Sequence, residues 1–246
     1  MEKRYMTSNI TFGPSDEVWK DFPLELKRLI LERRLIRICD VGGGANPVVS
    51  DSFISEHKLQ YTLLDISQKE LDKAPSHYRK RCQDITRGVP EVGAYDLVFT
   101  HMLAEHVQDG RALHQNVHTM LAPGGIAVHF FPTLYALPFV VNRLVPDRLA
   151  TWLLDLVSPR DKYQNAKFPA FYHWCRGPTK AVVDRLEGIG YEVVEYRGLY
   201  GHGGYYARFP VLLSIHKAVS QLFMRLQVPQ LTSFALVILK KPELAH

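Results

Sequence analysis

The chain has 246 residues, 46% hydrophobic and 22% charged, with 30 Lys and Arg against 25 Asp and Glu for a formal net charge of +5. Such a composition supports one sizeable core and excludes a disordered or collagenous chain; three scattered cysteines, Cys39, Cys82 and Cys175, exclude a disulfide framework and a CxxC metal site. The charge is spread without a lysine-rich tail, so nucleic acid is not an expected partner, and the lack of an apolar leader or of a long apolar run leads to the expectation of a cytoplasmic protein.

Residues 16–34 place Val18, Phe22, Leu26, Leu29 and Ile30 near helical spacing and predict an amphipathic helix. Leu35–Val41 then suit a buried strand that ends at Gly42, Gly43 and Gly44, a turn where a ligand can approach bare backbone. Asn46 is the expected N-cap and Pro47 the expected first residue of the next helix. A second strand over 60–65 ends in Asp65, where doubly wound folds place an acid on a ribose. A helix follows from Ser67, then strand three over 78–83, strand four over 95–100, a helix over Asp109–Leu121 and strand five over 125–131. Thr179–Ile189 reads as a helix, and Tyr191–Arg197 and Ser233–Leu239 as the last two strands. Alternating strands and helices predict an α/β fold: one domain over 1–246, with a mostly parallel sheet covered on both faces.

Two segments exceed what connections need. About 45 residues separate strand five from the Thr179 helix and about 35 separate strands six and seven, against about 4–6 for an ordinary loop. Long connections at the carboxyl edge of such a sheet build substrate sites, so cap insertions are expected at about 133–177 and 198–229. Their many aromatic side chains either pack the caps on the core or line an apolar or aromatic acceptor pocket. Tyr135, Tyr172, His173, His202 and Tyr205 are the candidate acceptor-binding residues. Glycines 201, 203 and 204 around His202 fit a loop that closes over a substrate, or equally a turn with an exposed histidine. Residues 209–226 carry Leu212, Ile215, Val219, Leu222, Phe223 and Leu226 on one face, with Lys217 and Arg225 the only charges after Arg208. That helix is expected to cover the sheet, with peripheral contact to a membrane as the alternative.

The glycine turn raises the question of the cofactor. A nicotinamide fingerprint wants a third glycine where Pro47 stands, and Asp40, two residues before Gly42, suits an ammonium group better than a phosphate. The acid-x-Gly-x-Gly order resembles motif I of the class I S-adenosylmethionine (SAM) methyltransferases, with Asn46 in place of the usual third glycine. Cys82-Gln83-Asp84-Ile85 resembles that family's segment after strand three, Tyr95–Met102 its motif IV, and Leu121–Gly125 its LxPGG turn into strand five. The resemblance is detailed over residues 35–131. It implies a seven-stranded Rossmann-like sheet of order 3-2-1-4-5-7-6 with strand seven antiparallel, SAM as cofactor, and methyl transfer to a small-molecule acceptor. It also implies a cofactor site of Asp40, Gly42, Gly44, Asp65, Ile66, Asp84, Ile85, Thr100 and His101, with Asp84 reading the adenine amino group.

Methyl transfer from a sulfonium is a direct displacement that needs alignment and exclusion of water, and a hydroxyl acceptor must also lose a proton. The candidate base is His106 in MLAEHV, which resembles the MLEHV stretch of the ubiquinone-biosynthesis O-methyltransferases; otherwise His106 caps the loop or packs near the cofactor. The acid that those enzymes place three residues before the Glu-His pair is Met102 here, so no metal is expected. His114 and His118, at i and i+4 on what reads as a surface helix, lack a third ligand. The expected acceptor is small and apolar or aromatic, methylated at oxygen. The alternatives are a lipid-linked or cell-envelope glycan acceptor and a SAM-binding accessory protein without turnover.

Overall fold

The computed structural model describes residues 9–134 and 169–243. In chain order the elements are β1 (Asn9–Pro14), α1 (Ser15–Arg33), β2 (Arg37–Val41), α2 (Asp51–Glu56), β3 (Gln60–Asp65), α3 (Gln68–Lys73), β4 (Arg79–Cys82) and β5 (Tyr95–His101). They continue with α4 (Gly110–Met120), β6 (Leu121–Pro132), α5 (Lys180–Glu187), β7 (Glu192–Tyr200), α6 (Pro210–Leu226) and β8 (Phe234–Lys240). The strands form one sheet of order β1-β7-β8-β6-β5-β2-β3-β4, in which β8 runs antiparallel to both neighbours and every other pairing is parallel.

The sheet has eight strands, not the expected seven. The seven foreseen strands keep their expected order, and β1 adds a parallel strand beyond β7, Asn9 pairing with Glu195 and Pro14 with Tyr200. Nothing local announces β1, because its partner lies most of the chain away.

The two faces of the sheet can be read from neighbouring residues of β6. Phe130 stacks on Phe22 of α1, while His129 meets the edge of His114 of α4, as strand alternation requires. On α1 the buried residues Val18, Phe22, Leu26 and Ile30 recur every four positions, one stripe of a 3.6-residue helix. Leu113, Val117 and Met120 do the same for α4.

Two expectations fail here for identifiable reasons. No helix begins at Asn46 and Pro47. The Asn46 amide bonds the Gly43 carbonyl and the Val48 amide bonds the Asp40 carboxylate, so the chain after the glycines is tied back to β2, and α2 starts only after Ser50. Nor is α4 a surface helix at its histidines: His114 is buried against His129 and Trp174, and the His118 ring packs edge-on to Tyr191.

Candidate active site

Parallel pairing of β2 with β3 and β5 brings three carboxyl ends to one edge. Val41 lies beside Leu64 and Thr100, so the Gly42 turn, Asp65 and the His101 loop open on the same side. Gly42 has φ +84°, a conformation that side chains disfavour. At Gly43 a Cβ would stand 2.7 Å from the Asp40 carboxyl carbon. The turn is therefore glycine for two different reasons, one torsional and one steric.

Two cavities meet at this edge and share Gly42 and Asp65 in their walls. The smaller, about 290 Å³, is lined by Asp40, the glycine turn, Glu70 and His101. The larger, about 560 Å³, runs from Ile66, Asp84 and Ile85 past Met102, Leu103 and His106 to Pro169 and Phe171.

Asp40 is almost wholly buried, and burial pushes its carboxyl up to about 7, against hydrogen bonds from the Tyr61 hydroxyl at 2.7 Å and the Val48 amide at 3.2 Å. A buried carboxylate beside a cavity is stabilised by a cation placed there. Asp65 is half-buried and its pKa is also raised by burial, with Glu70 adding to the shift. Its Oδ1 accepts the Ser67 amide at 2.8 Å, while Oδ2 lies within 3.0 Å of where a Gly44 Cβ would stand. One oxygen is thus fixed by backbone and the other is presented along the glycine turn, as an acceptor for a ligand lying there. If Asp65 holds the ribose, Asp65→Ala is expected to cost about 1.5–3 kcal/mol of SAM affinity. Calorimetry reads this directly, and unchanged affinity would take Asp65 out of the ribose site.

The wall around Asp84 carries two aliphatic side chains. Ile66 is 69% exposed although it is a large aliphatic side chain in a cavity wall, and Ile85, next to Asp84 in the chain, is in the same wall, buried. Asp84 holds Thr86 on Oδ1 through both amide and hydroxyl, with the Arg87 guanidinium 3.3 Å from Oδ2. These features fit SAM: a buried anion for its ammonium group, a carboxylate on a glycine turn for its ribose, and aliphatic walls with a polar edge for its adenine.

His106 sits on a single turn after β5, and its Nδ1 lies 2.8 Å from the Pro169 carbonyl oxygen. A carbonyl only accepts, so Nδ1 carries the proton in the neutral ring and the basic lone pair is on Nε2. Glu105, beside it, is buried; burial pushes its carboxyl up to about 8, its Oε1 is 3.7 Å from His106 Nε2, and Oε2 has no hydrogen-bond partner. Sequence reasoning noticed Glu105 only as a half-complete metal pair. Its burial, which makes it distinctive, is a property of the packing.

Several sequence-derived candidates lie elsewhere. Thr100 is fully buried, with its hydroxyl 2.9 Å from His129 Nδ1, because strand alternation turns it toward α4 and away from the cavity. Its neighbour His101 does line the smaller cavity, packed against both Phe22 and Phe130. Tyr172 is buried in the core, and His173 is exposed with Nδ1 on the Gln108 carbonyl; Pro169 and Phe171 line the cavity in their place. Tyr172 and Trp174 both have positive φ, 54° and 65°.

His202 joins a different cluster, with Ser233 at 2.8 Å, Tyr206 at 3.3 Å and His216. It follows β7, three strands from β5, or about 14 Å sideways at the usual strand spacing. Tyr135 and the side chain of Tyr205 lie outside the described residues. Met102, Leu103, Gln83, Arg87 and Phe171 in the walls, and Tyr61 behind Asp40, were not among the site residues expected from the sequence.

The methyltransferase-domain family matches residues 16–196. No curated protein matches the chain. Among solved structures, the chain is similar to the [4+2]-cyclase SpnF, with 16% identity, 89% of this chain and 80% of that chain covered, and a TM-score of 0.55. It is also similar to N-methyltransferase NodS from Bradyrhizobium japonicum WM9 in complex with S-adenosylhomocysteine, with 16% identity, 91% and 87% covered, and a TM-score of 0.52. Geranyl diphosphate C-methyltransferase from Streptomyces coelicolor A3(2) gives 10% identity, 89% and 78% covered, and a TM-score of 0.53. At these identities the structures share a fold, and the family match carries the chemistry: the chain belongs to the class I SAM-dependent methyltransferases and uses SAM as its cofactor.

Proposed function

We propose that this methyltransferase acts on a hydroxyl group of a small apolar or aromatic acceptor, with His106 as the base. The observation that carries this reading is the His106–Pro169 hydrogen bond, which fixes the tautomer whose Nε2 accepts a proton, on a residue in the wall of the larger cavity. Met102, Leu103, Val107, Pro169 and Phe171 give that part of the wall its apolar character, which suits an aromatic or aliphatic body and excludes water from the reacting atoms.

When bound, SAM supplies an electrophilic methyl carbon on a sulfonium. Asp40, Asp65 and Asp84 hold its three polar parts, so that the transfer is an in-line displacement between prepositioned groups. His106 Nε2 takes the hydroxyl proton as the acceptor oxygen attacks. Glu105, at 3.7 Å from that nitrogen, stabilises the imidazolium as it forms, since a nearby positive charge favours the ionised carboxylate. A second reading, a lipid-linked acceptor, is favoured by the outward apolar face of α6.

The test is a panel of acceptors of matched size bearing a phenol, an alcohol, an amine or only a double bond, incubated with methyl-labelled SAM. Label is expected on phenol or alcohol oxygen. Label on amine nitrogen alone would remove the need for His106 as hydroxyl base and overturn the oxygen assignment.

A further inference from the structure

Helix α6 is seated with its apolar side outward. At 3.6 residues per turn, Val211, Leu212, Ile215, Val219, Leu222 and Leu226 share one face, and they are between 40% and 75% exposed. No residue of the helix is buried. The residues turned toward the protein are more polar: His216 Nε2 accepts the His202 amide at 3.0 Å and lies 3.3 Å from the Ser220 hydroxyl, with Leu213, Phe223 and Met224 partly covered beside them. The expectation that this helix covers the sheet with its apolar face is therefore reversed. Scattered single apolar residues are ordinary on a protein surface, whereas a contiguous row along a whole helix is the mark of a contact face.

The charges say what the face fits. None of the 17 residues of α6 is Asp or Glu; Arg225 stands at the flank of the apolar face and Arg208 just before the helix, while Lys217 is on the protein side, in a cavity wall with Asp16 and His216. Asp16 is the one acid whose charge reaches its histidine, and it lies on the protein side, in the cavity wall with His216. A second copy docked face to face would set cations against cations with no carboxylate on either helix to pair them. An anionic lipid surface supplies the missing negative charge and an apolar layer beneath it. With 17 residues α6 is about 26 Å long, and no described helix is long and apolar enough to cross a membrane, so the fit is to a helix lying in the plane of the surface.

We propose that α6 adsorbs this protein to anionic bilayers, with Val211, Ile215, Leu222 and Leu226 at the acyl boundary and Arg208 and Arg225 among the phosphates. This rests on the surface of α6 alone and stands whatever the acceptor is. The test is co-sedimentation of the full chain with vesicles of phosphatidylcholine alone and of phosphatidylcholine mixed with phosphatidylglycerol. Binding is expected on the mixed vesicles, weakened by salt and much lower on phosphatidylcholine alone. Ile215→Ser and Leu222→Ser, tested separately, should each lower the partition constant by about tenfold or more, from the apolar area they withdraw. Arg208→Gln with Arg225→Gln should remove the preference for anionic lipid. Unchanged S-adenosylhomocysteine binding shows that each variant is folded. Absence of wild-type binding to either vesicle, or binding indifferent to both serine variants, overturns the proposal. So does a wild-type dimer in sedimentation that Leu222→Ser converts to monomer, which would give the face to a second copy.

Discussion

Replacing His106 by alanine is expected to lower turnover of a hydroxyl acceptor by about 10²- to 10⁴-fold, the usual contribution of a positioned base, while SAM affinity stays nearly unchanged. The reason is the proposed division of labour in the cleft, in which Asp40, Asp65 and Asp84 are given to the cofactor while His106 stands in the wall with Pro169 and Phe171. A phenol that is already ionised at alkaline pH needs no base, so the variant should recover much of its rate there. Equal losses of SAM affinity and turnover would make His106 part of the cofactor pocket instead. An unaffected variant would send the search for a base to Glu105, whose carboxyl burial holds up to about 8.

The second large effect is a dependence of cofactor affinity on pH through Asp40. Burial raises its carboxyl from the ordinary 3.8 to about 7, and only the ionised form pairs with an ammonium group. SAM and S-adenosylhomocysteine affinity should therefore fall as pH drops below about 7, approaching tenfold per pH unit, and binding near pH 7 should release a proton. The same shift acts on stability with a definite sign. The folded apoprotein holds the Asp40 proton more tightly than the unfolded chain does, so its stability falls as pH rises from about 4 to 7. The loss, on the order of 4 kcal/mol for a shift of this size, is complete above the folded-state pKa, and a bound ammonium group offsets it. Calorimetry in buffers of different ionisation enthalpy counts the proton, and melting against pH gives the stability slope. Asp40→Asn should flatten both profiles and weaken binding by roughly ten- to a hundredfold, the loss of a charge-assisted hydrogen bond. Affinity independent of pH between 5.5 and 8, taken as a range of about one unit either side of the Asp40 titration, would remove Asp40 from the ammonium site.

The parts of this protein that could be read without coordinates are those in which neighbours in sequence decide the outcome. A buried apolar run followed by glycines fixes a strand and its turn, and the acids at Asp40 and Asp65 have their places along strands β2 and β3 whatever packs around them. Chain order of such units then leads to a parallel sheet, because βα units wind one way. Asn46 failed as a helix start because its turn bond to Gly43 and the bond from Val48 to the buried Asp40 carboxylate hold the chain after the glycines in another path. Tertiary structure alone decided which side chain of a neighbouring pair faces the ligand. Thr100 turns into the core and His101 to the cleft; Phe171 lines the cavity while Tyr172, at positive φ, is buried. It also decided that β1 joins β7 across most of the chain, that Glu105 is buried with an oxygen left without a partner, and that α6 turns its leucines outward. Periodicity shows that a helix has two faces. Which one meets the protein depends on the surface against which it packs, and that surface comes from residues far away in the chain.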